Sequence, residues 1–316
     1  MVLNAIEILK AKKNLQGVAN RTPLTNSRAL SEISGAEVYL KWENLQRTGA
    51  YKFRGAYNKV SSLSSEERMS GVITASSGNH ALAVSLAAQI LEVKTTVVVP
   101  VNAPKVKIER CRALGANLVI KGANFDESLV HCNELAEKTG AIYVPGTEDH
   151  KVMAGQGTIA LEILEDVPDL DTIITPVGGG GMISGVGAWV KTVNPSIRVL
   201  GAQSTVARAM YESFKAHRVI EIPVVPTIAD GLAGQISQMA LDHVSNVVDD
   251  ILLAEEKELK NTILWVLKNE RQVIEGSSAV GPALILQKRI AFSKGEKVAM
   301  VISGGNIDMN TLGLEI

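Results

Sequence analysis

The chain has 316 residues, 46% of them hydrophobic and 21% charged, enough to bury about three quarters of its unfolded surface; disorder is excluded, and no metal or disulfide is needed to hold the fold. Thirty-two basic against 33 acidic residues leave a net charge of −1, without the basic excess of a nucleic-acid binder, and 4% aromatics are too few for a base-stacking platform. The two cysteines, Cys111 and Cys132, form no pair spaced for zinc, which suits a reducing, cytoplasmic setting.

The N-terminal stretch carries Glu7, Lys10, Lys12 and Lys13 in a helix-like pattern, so no secretory signal is expected. Strands are predicted at Val38–Trp42, Val72–Ala75, Thr95–Val99, Asn117–Ile120, Ile142–Val144, Thr172–Val177, Arg198–Ala202, Val247–Leu253 and Val298–Ile302. Helical spacing fills Ala81–Ile90, Lys105–Leu114, Phe125–Lys138 and Thr158–Glu165. That alternation predicts parallel βαβ units and an α/β fold. Gly115 stands where a helix stops. The uncharged run Thr172–Val190 has the length of a membrane span. It holds Pro176 and six glycines, however, a composition unsuited to a lipid-facing helix, and no membrane partner is expected.

In open parallel sheets, ligands bind beyond the carboxyl ends of strands. Three small polar turns follow predicted strands: Ser76-Ser77-Gly78-Asn79-His80, Gly178-Gly179-Gly180-Gly181 and Ser303-Gly304-Gly305-Asn306. Their convergence on one crevice is predicted. The four glycines precede a helical segment from Met182, an arrangement that turns backbone N–H groups toward a small anion such as phosphate. Two familiar phosphate loops fail the comparison. Met182 stands where a P-loop needs Lys, and neither the glycine spacing nor Gln203 downstream fits a dinucleotide fingerprint. Lys52 lies between Tyr51 and Phe53, an apolar setting that favours the free amine. An amine beside a phosphate-bearing carbonyl compound means a Schiff base.

The set Arg47 to Gly55, Ser76 to His80, Gly178 to Gly181 and Ser303 to Asn306, with Ala154-Gly155-Gln156-Gly157-Thr158 and Ala229-Asp230-Gly231 between, resembles the threonine/serine dehydratase and serine racemase family. That family belongs to the pyridoxal-phosphate enzymes of the tryptophan-synthase-β fold group (fold type II). The resemblance spans nearly the whole chain in the family's order. It implies two open, mainly parallel twisted sheets with helices on both faces and a site between two domains. The boundaries it implies are residues 1–54 plus 146–316 for a large cofactor-binding domain and 55–145 for a small mobile one. Lys52 would carry pyridoxal 5′-phosphate and later move the Cα proton, and Gly178 to Gly181 with the Met182 amide would hold the phosphate. Asn79 would bond the ring's 3′-oxygen, Tyr51 would pack on the ring, and Ser303 would face the pyridine nitrogen. Ser76, Ser77, Gly78, Asn79 and His80 would receive the substrate carboxylate. A neutral hydroxyl at Ser303 leaves the nitrogen unprotonated and the ring a shallower electron sink. Elimination needs less of that sink than transamination or decarboxylation.

The implied reaction is dehydration and deamination of a small 3-hydroxy amino acid, of the L-threonine or L-serine type, to a 2-keto acid and ammonia. The alternatives are an amino-acid racemase with Ser77 as opposite-face acid, or a dehydratase for an unusual substrate such as a phenylserine or a hydroxyectoine-derived compound. A nicotinamide oxidoreductase and a non-enzymatic amino-acid sensor are the readings from other classes. Departures from the family pattern are also legible. Gln203 to Ala209 holds no carboxylate, so no divalent metal site is expected there. Thr147 and Glu148 stand beside the expected cofactor position in an unfamiliar Val144-Pro145-Gly146-Thr147-Glu148 stretch, and Gly234-Gln235 are candidates for substrate choice. The short segment after Asn306 leads to the expectation of no feedback-regulatory domain. A homodimer is expected by resemblance.

Overall fold

The computed structural model describes residues 3–103 and 105–313. Among these the strands are β1 (Leu24–Asn26), β2 (Glu37–Trp42), β3 (Val72–Ala75), β4 (Thr95–Val99), β5 (Asn117–Ile120), β6 (Ile142–Tyr143), β7 (Thr172–Pro176), β8 (Arg198–Ser204), β9 (Asp250–Ala254) and β10 (Lys297–Ile302). They form two sheets, β1-β2-β10-β7-β8-β9 and β5-β4-β3-β6. Every pairing is parallel except β1 on β2. The expected α/β class with two mainly parallel sheets is what the chain adopts. Strand β1 was not predicted: three residues at an edge carry too little periodicity to be read.

The larger sheet is buried on both faces, which is why its strands read as continuous apolar runs. Along β10, Val298, Met300 and Ile302 join one core with the helices Arg28–Ser34, Leu259–Glu270 and Gly276–Leu286. Ala299 and Val301 join the opposite core with the helices His150–Asp166, Gly181–Val193 and Gln238–Val247. Each large side chain buried this way contributes about 1.5–3 kcal/mol. Helix Gly276–Leu286 was not predicted, since its glycines and internal Pro282 disguise a fully buried element.

Between β2 and β7 the chain leaves the larger sheet, builds the smaller one and returns. Helix Lys52–Ser61 leads out and helix His150–Asp166 leads back. The second begins earlier than the sequence suggested, because the Asp149 carboxylate accepts from the Lys151 and Val152 amides at 2.7 and 3.0 Å. The two helices touch through glycines: a Cβ on Gly155 would lie 2.5 Å from the Arg54 carbonyl oxygen. On the other side, one on Gly185 would lie 2.1 Å from the Met153 carbonyl oxygen. The run Thr172–Val190 divides into β7, a turn and a helix. Among the described residues no helix is long and apolar enough to cross a membrane.

Candidate active site

Lys52 opens helix Lys52–Ser61, and its Nζ donates to the Gly146 carbonyl oxygen at 2.7 Å. That nitrogen sits 5.3 Å from the centre of the Tyr51 ring. The helix is pinned two residues further on. The fully buried Arg54 guanidinium is bound by Glu43 at 2.8 and 2.9 Å and by Glu162 at 2.7 and 2.9 Å. Lys41, also buried, donates to Glu162 at 2.6 Å. Removing one member of such a network strands a buried charge and costs about 3–5 kcal/mol. The residues Ala154 to Thr158, singled out in the sequence, serve this packing: Thr158 Oγ1 accepts from Arg54 at 3.1 Å, and Gln156 Oε1 accepts from the Gly55 amide at 3.2 Å.

The residue after Gly146 connects the lysine to the glycine run. A Cβ on Gly179 would meet the Thr147 side chain at 3.1 Å, and one on Gly181 would meet Thr147 Cα at 2.9 Å. Gly178 is crowded by Leu232 and Gly231, and Gly180, with φ +82°, by Val244 and Met210. Among the described residues nothing accepts from the amides of residues 178–183, while the Ser184 amide closes the first helical bond to the Gly180 carbonyl at 3.0 Å. A set of free N–H groups at a helix N-terminus is a site for an anion.

The Ser303 turn joins the same place. The Tyr51 amide donates to the Ser303 carbonyl at 3.0 Å, and Gly305 donates to Gly49 at 2.9 Å. Ser303 is 3% exposed, and its hydroxyl lies 3.0 Å from Ser278 Oγ. No helix starts at Ser303, so it is not a cap. Ser278 Oγ in turn donates to the Gly304 carbonyl at 2.7 Å and accepts from the Gly304 amide at 2.8 Å.

The turn after β3 contributes the start of helix Asn79–Ile90. The Gly78 amide donates to Ser76 Oγ at 3.2 Å, and among the described residues the Ser77 hydroxyl has no protein partner. Asn79 Nδ2 donates to both Glu275 oxygens at 2.8 and 3.0 Å, and its Oδ1 accepts from Asn306 at 2.8 Å. His80 turns its ring inward. Its Nε2 lies 2.9 Å from the Val144 carbonyl, so that nitrogen carries the proton, and the buried Nδ1 is unpartnered. Burial, and then the Lys52 charge, lower its pKa to about 3. At neutral pH His80 is therefore uncharged, and what it offers outward is its backbone. Within this single motif, then, the Ser77 hydroxyl has no partner among the described residues while the His80 ring is held by the Val144 carbonyl.

With this geometry in place, the comparisons with known proteins become interpretable. The family described as "Pyridoxal-phosphate dependent enzyme" matches residues 15–304. The chain belongs to that family. It is 46% identical over 307 residues to the L-threonine ammonia-lyase of Thermotoga maritima, covering 97% of this chain and 76% of that one. It is 39% identical over 306 residues to the catabolic L-threonine dehydratase TdcB of Escherichia coli, covering 96% and 93%. Among solved structures, maize serine racemase superposes with a TM-score of 0.95 at 33% identity, covering 99% and 96%. Threonine deaminase isoform 2 of Solanum lycopersicum gives 0.89 at 33%, covering 99% and 94%.

Pyridoxal phosphate suits the residues of this pyridoxal-phosphate enzyme on physical grounds. The backbone around residues 178–183 has amides to spare and no room for side chains, while the Lys52 amine bonds Gly146, the residue before the Thr147 that packs on those glycines. Three contributors escaped the sequence reading. Glu275 is 6% exposed and sits where Asn79, Gly304 and Asn306 meet. Ser278 completes the hydroxyl pair with Ser303. Arg54 with its acids sets the lysine helix. Only Arg54 left a usable signal, a charged residue within an otherwise buried helix face; the other two are joined to the site by long-range contacts.

Proposed function

We propose that the chain is an ammonia-lyase that dehydrates and deaminates a small 3-hydroxy amino acid, of the L-threonine or L-serine type, to a 2-keto acid and ammonia. The observation that carries this reading is the joining of the Lys52 amine to the free amides of residues 178–183 through Gly146 and Thr147. Relatives named for threonine deamination at 39–46% identity support it. Bound here, pyridoxal phosphate supplies an electron-withdrawing ring that acidifies the substrate's Cα–H.

The amides of Gly178 to Gly181 and Met182 would hold the phosphate, Tyr51 would lie against the ring and Asn79 would donate to its 3′-oxygen. Ser303, whose hydroxyl lies 3.0 Å from Ser278 Oγ, would turn its proton to the ring nitrogen, while Ser278 keeps its own proton on the Gly304 carbonyl. Lys52 would hold the cofactor through its amine and would then be the base placed to take the Cα proton. Ser76, Ser77 and the N–H groups at the start of helix Asn79–Ile90 receive the substrate carboxylate. The β-hydroxyl would leave as water, its added proton balancing the one taken from Cα, and the released enamine would shift a proton to become the imine, which takes up water to give keto acid and ammonia.

The same proposal treats residues 55–145 as a small moving domain against 1–54 plus 146–316, and the working form as a cytoplasmic homodimer. Family resemblance supports both. A keto-acid release screen across serine, threonine and larger hydroxy amino acids tests the reaction. Lys52→Ala is expected to abolish the visible cofactor band and to lower turnover by at least about 10³-fold. Borohydride is expected to fix a pyridoxyl group on Lys52. Full colour surviving the substitution would defeat the assignment.

Racemisation is the second reading, favoured by the unpartnered Ser77 hydroxyl and by the likeness to maize serine racemase. D-amino acid appearing faster than keto acid in one sample would select it.

A further inference from the structure

Three segments that the sequence separates widely converge on one carboxyl group. The Glu275 amide donates to the Gly304 carbonyl at 3.1 Å, and a Cβ on Gly304 would lie 2.7 Å from Glu275 Oε1. Across the cleft, Asn79 brings Nδ2 to both of its oxygens. Asn79 stands at the end of the smaller sheet's β3, Glu275 and Asn306 beside the larger sheet's β10. The contact therefore ties the two sheets together at the site.

The hydrogen bonds allow only one orientation of each amide. Asn306 Nδ2 faces the Thr48 carbonyl oxygen at 2.8 Å, so it is the donor end, and Asn79 Oδ1 accepts from it. Asn79 must then present its nitrogen to Glu275, where a carboxylate makes the matching acceptor. The two oxygens of one carboxylate subtend too small an angle at that nitrogen to take both of its hydrogens. One N–H of Asn79 is left pointing elsewhere, fixed in direction by Glu275.

We propose that Glu275 is a positioning residue, whose carboxyl aims the Asn79 amide at the cofactor and joins the smaller sheet to the larger, so that one ionisation tunes both. This rests on the cofactor placement given above. Burial raises the Glu275 pKa to about 7, with the Asp230 charge adding to it, while Asn79, Lys107 and the Asn306 main chain work in the opposite direction. Lys107 pairs with Asp230 at 3.3 Å and Arg110 reaches Asn306 Oδ1 at 3.0 Å, so helix Lys105–Ala113 brings two cations to the same edge. An ionised acceptor makes the stronger bond, so the Asn79 contact tightens as this carboxyl loses its proton.

The test compares wild type, Glu275→Gln and Glu275→Ala, first confirming by borohydride and mass spectrometry that Lys52 carries the cofactor. Absence of that label sinks the cofactor placement itself. With the label present, the wild-type visible band and cofactor affinity are expected to titrate with a midpoint near 7. Glu275→Gln should lose this midpoint and keep the label. Glu275→Ala should weaken cofactor binding about tenfold, as expected for loss of a hydrogen bond to a charged group. It should also speed hydrogen exchange in the 76–90 segment of the cofactor-free protein.

The cofactor-free protein gives a readout that does not depend on the label. A carboxyl raised from 4.5 to about 7 makes stability fall as pH rises through that window, and Glu275→Gln should remove that slope. A midpoint near 7 that persists in Glu275→Gln, or wild-type affinity and exchange in Glu275→Ala, overturns the proposal.

Discussion

Two helix N-termini face the site, and they are built in opposite ways. The turn Gly178–Gly181 carries no side chains, and a Cβ at any of its positions would meet a neighbour at 2.9–3.1 Å. The turn Ser76–Asn79 carries hydroxyls and an amide, and among the described residues no atom beyond the chain neighbours lies within 4 Å of where a Cβ would stand on Gly78. Both offer unpaired N–H groups and the positive end of a helix dipole. The first is walled in, by main chain at Gly178 and Gly181 and by side chains at Gly179 and Gly180, and suits an anion that stays, a phosphate. The second is open at Gly78 and held by side-chain contacts, Asn79 to Glu275 and Asn306 and His80 to the Val144 carbonyl, which suits an anion that arrives and leaves.

The sharpest way to break that contrast is to put the same methyl group on each turn. Gly181→Ala pushes a carbon against Thr147 Cα and carbonyl oxygen at 2.9 and 3.0 Å, and main chain does not yield cheaply. Cofactor affinity is expected to fall about 10- to 100-fold, with stability lower by about 1–3 kcal/mol. Among the described residues Gly78→Ala meets no atom beyond its chain neighbours, so cofactor affinity should stay within about threefold while KM for the amino acid rises. Absorbance titration with cofactor and initial rates separate the two effects. Equal losses of cofactor affinity at both positions would erase the distinction.

How far the sequence anticipates this arrangement depends on whether a residue's role is local. The glycine run, Lys52 and the Ser303 turn were legible because each follows an apolar strand or opens a helix, and β7 and β10 are neighbours whose ends must lie together. Val72–Ala75 and Thr95–Val99 matched to the residue, since both are short and buried on both faces. Glu275 and Ser278 were not legible. Their partners stand at Asn79, Ser303 and Gly304, and only the folded topology reveals those pairings. The residues Ala154 to Thr158 were legible as a motif but not in purpose: the small residues let helices approach, and none reaches the site. The bond from the His80 ring to the Val144 carbonyl is likewise a pairing that only the folded topology reveals.

His80 also supplies a pH signature that belongs to the second turn alone. Its folded pKa of about 3 lies below the ordinary 6.5, so the unfolded chain binds the extra proton first. The stability His80 contributes is complete above about pH 6.5 and is lost as pH falls toward 3. His80→Asn is expected to flatten that acid-side slope in thermal melts of the cofactor-free protein. Gly181→Ala should lower the whole curve without flattening it. An unchanged slope in His80→Asn would mean that another group titrates there.

The smallest expected effect concerns the support beneath the first turn. Gln203 Nε2 donates to the Val177 carbonyl at 2.8 Å, one residue before the glycine run, and its Oε1 accepts from the Tyr211 amide at 2.7 Å. A neutral side chain thus bridges β7 and helix Ala209–Ala216, and the stretch from Gln203 to Ala209 offers no carboxylate to a divalent cation. EDTA is therefore expected to leave keto-acid production within about twofold of the untreated rate. Gln203→Glu would set a carboxylate against the Val177 carbonyl oxygen, lowering stability by about 1–3 kcal/mol, and Mg²⁺ should recover part of that loss. If chelation instead abolishes activity in the unsubstituted protein and Mg²⁺ restores it, the turn depends on a cation that Gln203 does not replace. The first turn would then be no more self-sufficient than the second.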